Sequence, residues 1–157
     1  MLCNKRGEGY IQVCVMVLIL CMLIAVCLTF TSTVHTIRVV QRNAQIVLDS
    51  FVMENAILIY DSIKNGHDFT EAVDVSQFRT KLADYNNLTK SGAYYYHYDP
   101  DGDLDYRITA PVLSMTQTNS LKIAASYTIT IPLYFAGMQV STVSVPITVE
   151  SRLTNKF

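Results

Sequence analysis

Residues 11–30, IQVCVMVLILCMLIAVCLTF, constrain this chain more than any other feature. No Asp, Glu, Lys or Arg occurs between Glu8 and Arg38, and Gln12 is the only strongly polar side chain in the run. A bilayer core of roughly 30 Å takes about 20 apolar residues when the rise is about 1.5 Å per residue. In hydrocarbon every backbone amide must bond within its own segment, so the run is predicted to be helical. A core helix of a soluble domain would be shorter and would carry a polar stripe, which is absent here. The expectation is one transmembrane helix over residues 10–31, with the lipid bilayer as its partner.

The run is longer than the apolar core of a secretory signal, and Ala25-Val26-Cys27 is a poor cleavage site, so retention as an anchor is expected. Lys5 and Arg6 precede the run, whereas Arg38 and Arg42 follow it closely, so charge alone barely sets orientation. The short basic head favours the cytoplasm, which makes the long C-terminal part extracytoplasmic and the protein a single-pass component of the cell membrane. All four cysteines, Cys3, Cys14, Cys21 and Cys27, lie in the head or the run. The remainder therefore has neither a disulfide nor a thiolate metal site. A net charge of −1 supplies no nucleic-acid footprint.

Lys5-Arg6-Gly7-Glu8-Gly9-Tyr10-Ile11-Gln12, leading straight into an apolar helix, resembles the start of a type IV prepilin. It is more closely similar to the TadE-like minor pseudopilins and their relatives in Gram-positive bacteria. That resemblance implies a leader removed by a prepilin peptidase between Gly7 and Glu8. It also implies a subunit contact at Gln12, where the family usually carries a Glu that can pair with a neighbour's N-terminal amine. Gln12 keeps a hydrogen-bonding amide and lacks the charge. Pilin-like subunits and pilus assembly proteins are the partners so implied. The terminal strand pair described below, ending near Arg152, extends the resemblance over most of the chain.

Beyond the run, Ile37, Val40, Ala44, Val47, Phe51 and Leu58 recur at steps of three and four, with Glu54 interrupting, while Leu48, Val52, Ile59 and Ile63 widen the face. No Pro or Gly occurs between Gly9 and Gly66, so the helix is predicted to continue to Lys64, with Asn65-Gly66 as its C-cap. A hinge at Thr31-Ser32-Thr33 would instead divide it in two. A second helix is predicted over residues 75–86, with Asp74 and Gln77 as a capping box and Phe78, Leu82 and Tyr85 as its buried stripe.

The rest reads as strands. Pro100-Asp101-Gly102 between two alternating runs is a hairpin turn, since Pro presets φ and Gly accepts positive φ. Pairing Asp99 with Asp103 sets Tyr98 opposite Leu104, Tyr96 opposite Tyr106 and Tyr94 opposite Ile108 on one face. His97 then meets Asp105, and Tyr95 meets Arg107, on the other. Residues 111–120 read as a loop. Two long alternating runs, residues 122–133 and 142–150, flank Gly137 and set Tyr127 opposite Ile147, Ile129 opposite Val145 and Ile131 opposite Val143. Pro132 and Pro146 belong where no ladder amide is needed.

The predicted fold is therefore α+β and pilin-like, a long transmembrane-to-soluble helix packed against a small antiparallel sheet. Its divisions are a basic head (1–9), the span (10–31), the extracytoplasmic half of the helix (32–66) and an α+β domain (67–157). Asp99, Asp101, Asp103 and Asp105 are candidate calcium ligands, because hard cations take clustered carboxylates. Counted as a calcium loop from Asp99, however, the sixth position is Leu104 rather than Gly and the twelfth is Ala110 rather than Glu. A solvated acidic turn is the preferred reading, and no metal or cofactor is expected. No HExxH, GxSxG, Walker or GxGxxG pattern occurs, so an enzyme is not expected. Two functions fit: a structural subunit of a Tad or type IV-type pilus or its assembly machinery, or a permanently anchored binding or sensory domain that is neither processed nor assembled.

Overall fold

A computed structural model of the chain describes residues 5–65, 73–117, 121–135 and 137–153. Its elements are α1 (Lys5–Glu54), α2 (Ala56–Lys64), α3 (Val75–Tyr85), β1 (Thr89–Ser91), β2 (Tyr94–Tyr98), β3 (Leu104–Thr109), β4 (Val112–Gln117), β5 (Leu121–Phe135) and β6 (Met138–Leu153). The class is α+β, with a long apolar N-terminal helix and a small antiparallel sheet. Contacts divide the chain into two units, Met1–Thr36 and Ile37–Phe157.

The first unit holds the apolar part of α1. Its most apolar window of 18 residues has a mean hydropathy of 3.1 and is not buried by protein at any point. A core helix of equal hydropathy would be covered by its own chain; this one needs a lipid or protein environment from outside, as a single-pass anchor does. The helix passes through Thr31, Ser32 and Thr33 without a hinge. The hydroxyls of Thr29, Thr31 and Thr33 donate to the carbonyls of Ala25, Cys27 and Thr29 at 2.8–3.0 Å, so these polar groups are satisfied within the helix.

In the second unit the helix does not continue unbroken to Lys64. It is interrupted at Asn55, where the side-chain amide donates to the Phe51 carbonyl at 2.9 Å in competition with the Asn55 backbone N–H at 3.1 Å. A side chain inserted into the ladder in this way is a recognised cause of a local break. The buried face is Val40, Ala44, Val47, Leu48, Phe51 and Val52, with Ile59 from α2. Leu58, placed on that face by its spacing, is 54% exposed because the interruption turns α2 away from the phase of α1. Gly66, half of the expected C-cap, and the Ile63 side chain lie outside the described residues.

Helix α3 begins at Asp74, whose carboxylate accepts from the Ser76 amide and hydroxyl, both at 2.8 Å, and these bonds hold its pKa below the usual Asp value. The cap thus engages Ser76, while the Gln77 backbone N–H bonds the Asp74 carbonyl. Phe78 and Leu82 are buried, but Tyr85 is exposed. At its C-terminus Asn87 takes a left-handed φ of 51°, and the amides of Asn87 and Leu88 donate to Asp84 and Ala83. This is a Schellman closure with Asn in the position usually held by Gly. Buried Asn86 accepts from the Asn43 side chain at 2.9 Å and donates to the Leu82 carbonyl at 3.0 Å, tying α3 to α1.

The sheet is a meander. Strand β6 pairs with β5 along its whole length, while β3 and β4 lie end to end on the opposite side of β5. Residues 112–117, expected in a loop, thus form a strand. The register slips by one residue at Ala110-Pro111, between Ile108↔Ile129 and Val112↔Ser126. Proline cannot donate to the ladder there, and the freed groups find other partners: the Thr128 amide donates to the Thr109 hydroxyl, and Arg79 Nε donates to the Pro111 carbonyl. Between β5 and β6 the expected pairs, Tyr127↔Ile147, Ile129↔Val145 and Ile131↔Val143, are all present. Pro146 sits on edge strand β6, and Pro132 lies beyond Thr130, the last β5 residue paired with β3.

The inner face of the sheet joins the helices in one core, with Phe51 against Phe78 at a ring separation of 5.6 Å. Tyr106 and Tyr127 are part of it, and burial pushes both phenols well above their ordinary pKa of 10.0. The folded state therefore requires them neutral. Below about pH 10 their contribution is fully present; as pH rises further the unfolded chain ionises first and stability falls. Denaturant titration of the full chain in detergent is expected to give a constant midpoint between about pH 7 and 9 and a steep decline above about pH 10. Tyr127→Phe is expected to shallow that decline and to cost about 1 kcal/mol at neutral pH, since its hydroxyl donates only a long bond, 3.4 Å, to the Val40 carbonyl.

Candidate functional site

The N-terminal candidates all lie on α1. Gly7 and Glu8 fall in its first turns, and Gln12 is solvent-exposed one residue into the apolar run. Among the described residues none covers Gln12.

The acidic hairpin is organised by its own turn. Asp99 Oδ1 accepts from the backbone amides of Asp101 and Asp103 at 3.0 and 2.8 Å, the Asp99 amide donates to the Asp103 carbonyl, and Gly102, at φ 90°, donates back to Asp99. Asp105 turns instead to His97, with Oδ2 3.2 Å from Nδ1. The geometry is not that of a hydrogen bond, and Nδ1 is buried without a hydrogen-bond partner among the described residues. Among the described residues no three His, Cys, Asp or Glu side chains are grouped to hold an ion. One candidate carboxylate is engaged in closing the loop and another in facing a histidine.

The strand register departs from the expected one by a single bulge. Tyr98↔Leu104 is kept, but His97 pairs with Tyr106, Tyr96 with Arg107 and Tyr95 with Ile108, leaving Asp105 as the extra residue. A slip of one residue exchanges the two faces. Tyr95 and Tyr106 are therefore buried, with His97 stacked on Tyr106 at 4.7 Å, whereas Tyr94, Tyr96 and Tyr98 form a row on the outer face. The rings of that row are spaced 6.3 Å apart, and the Arg107 guanidinium lies 4.8 Å from the Tyr94 centroid. The row continues across the sheet through Thr130 and Ser144, whose hydroxyls are 3.1 Å apart, beside the Ser126–Thr148 pair at 3.2 Å. Burying three phenol hydroxyls against the helices would leave polar groups to be satisfied; the bulge avoids that cost.

A second surface was not anticipated from the core pattern. Val39, Ile46 and Met53 recur every seven residues on the side of α1 away from the core, and Ile57 follows on α2. All four are exposed, Met53 and Ile57 to 76% and 75%. Glu54, which interrupts the buried seam, pairs within the chain: Lys81 and Ser50 donate to its carboxylate and hold its pKa below the usual Glu value.

Comparison with protein-family models, with curated proteins and with solved structures gives no match for this chain. The site geometry alone bears on function. Because the turn amides already occupy Asp99, adding millimolar calcium to the chelator-treated full chain is expected to leave its melting temperature unchanged; a calcium-dependent rise would show that the loop opens to bind.

Proposed function

We propose that the chain is a membrane-anchored, pilin-like structural subunit of a Tad or type IV-type pilus or its assembly machinery. In this reading the N-terminus is cytoplasmic, the second unit is extracytoplasmic, and subunits associate through α1. The observation that carries it is the exposed stripe Val39, Ile46 and Met53, which follows an apolar run that the chain itself leaves uncovered. A repeat of seven residues is the spacing that keeps one seam of a helix facing another helix. Arg42 and Asp49 alternate with these residues on the same side, so a contact along this seam would bring charged groups beside the apolar ones. Gly7 and Glu8 would be the peptidase site, and Gln12 would offer an amide to a neighbouring subunit in place of a carboxylate.

A second reading, a permanently anchored binding or sensory domain, is favoured by the outer row of Tyr94, Tyr96 and Tyr98 with Arg107, since exposed aromatics and arginine are the residue types that dominate protein contacts. Tyr106 has no part in that surface, being buried.

Oxidative cross-linking in membranes separates the two. With the native cysteines replaced by Ala, Ile46→Cys is expected to give a disulfide-linked dimer, and Gln41→Cys, exposed on another side of the helix, is expected to stay monomeric. Intact mass should show the loss of residues 1–7. A full-length, monomeric chain would leave the anchored binding domain as the better account.

A further inference from the structure

Beside its buried stripe, helix α3 has a flank that faces the first two strands. Ser76, Arg79, Thr80 and Ala83 recur at steps of three and four, so they lie along one side of the helix. That side meets Lys90 on β1 and Tyr95 on β2, which pair with each other. Together these residues bound a cleft of about 290 Å³. Small-molecule sites begin at roughly 300 Å³, so the space suits one small ligand and no polymer. Ala83 and the buried Tyr95 give the cleft apolar surface, and Arg79 and Lys90 bring it two positive charges.

Arg79 is held in place. Its Nε donates to the carbonyl of buried Pro111 at 2.9 Å, which fixes the guanidinium plane at one end. The remaining guanidinium donors, and the three of the Lys90 ammonium, meet no carboxylate among the described residues. No Asp or Glu lines the cleft among the described residues. Asp74 turns to the Ser76 amide and hydroxyl, and Asp84 lines a different groove, beside Ile46 and Tyr85. The Thr80 hydroxyl donates to the Ser76 carbonyl. With both hydroxyls engaged, the donors left to a ligand belong to the two cations. A guanidinium already pinned by one N–H loses little further freedom when it meets an anion. The chain carries a net charge of −1, so no general field gathers anions here.

We propose that this cleft binds a phosphate monoester carried on a small organic group. Two convergent cations balance a phosphate monoester, which carries about −1.5 to −2 at neutral pH, better than a singly charged carboxylate. The planar guanidinium supplies paired donors to two oxygens, and the ammonium supplies a point charge to a third. Tyr95 and Ala83 then offer the organic group an apolar surface. The site lies wholly within the second unit and stands under either reading of the protein's function.

Phenyl phosphate is the probe, titrated into the full chain in dodecyl maltoside and followed by phosphorus NMR. A Kd of about 1 mM or tighter is expected, and inorganic phosphate and benzoate should each need about tenfold higher concentration to compete. Arg79→Gln and Lys90→Gln should each weaken binding about tenfold, whereas Lys64→Gln, outside the cleft, should not. The Lys90 side chain is exposed, so Lys90→Gln should keep the unfolding midpoint of the unaltered chain and serve as the deciding variant if Arg79→Gln unfolds. No binding at about 10 mM, or binding undiminished in Lys90→Gln, would overturn the proposal. Benzoate competing as well as phenyl phosphate would reveal a general anion patch, and inorganic phosphate doing so would remove the organic group; either result overturns it too. Short-chain phosphatidate that competes as well as phenyl phosphate would assign a lipid headgroup as the source of the ester, and failure to compete a soluble one. Both outcomes uphold the site.

Discussion

The second unit depends on a single interaction, the packing of one stripe of α1 onto the inner face of the sheet. Val40, Ala44, Val47, Leu48, Phe51 and Val52 meet Ile123, Ala125, Tyr127, Ile129, Ile147 and Val149 in one continuous cluster. Each large apolar side chain so buried contributes about 1.5–3 kcal/mol relative to exposure. Among the described residues the helices cover the inner face of the sheet and leave the outer face, hydroxyl-bearing and aromatic, without a layer of its own. Without α1 the inner face would keep only the partial cover of α3, through Phe78 and Leu82, with Ile59 of α2. The same helix carries the apolar run, so the element that anchors the chain also completes the domain's core.

That double duty explains much of the detail. Asn43 satisfies the buried cap of α3, and Gln45 reaches the Glu150 carbonyl on β6, so polar groups on the helix hold its register against neighbouring elements while the apolar stripe supplies adhesion. The break at Asn55 comes after the last buried residue of α1, where the helix no longer has a sheet to follow. On the opposite side Val39, Ile46 and Met53 stay outside the buried core and exposed, which is why that stripe carries the functional proposal.

How much of this was legible depended on how asymmetric each segment is. In the middle of β5 and β6 apolar residues alternate with small or polar ones, so one register alone buries the apolar set; the pairs from Leu121 to Leu133 follow from centring on Gly137, while a shift at Val140 displaces the last two by one residue. The Tyr94–Tyr98 strand is aromatic on both faces, and its pattern does not distinguish them. A single bulged residue, Asp105, then decides which tyrosines are buried, and no local signal marks it. Strand β4 was hidden by Pro111 and by the mild alternation of Val112 to Gln117, its strand state being imposed by pairing to β5. The exposed stripe has no signal of its own, because apolar residues on the outer face of a helix differ from core residues only once the buried side is known. Gly7, Glu8 and Gln12 rest on the N-terminal motif and its resemblance, with a continuous helix beneath them.

Helix α1 is one continuous element that carries both the apolar run and the core stripe of the domain. Hydrogen–deuterium exchange on the full chain in lipid nanodiscs tests it directly. Amides should be protected continuously from the apolar run through Thr31 to Thr36 and on to Val52, first by lipid and then by the core, with faster exchange beginning near Asn55. Rapid exchange at Thr31 to Thr36, with protection on either side, would contradict it and make the anchor and the domain two helices joined by a linker.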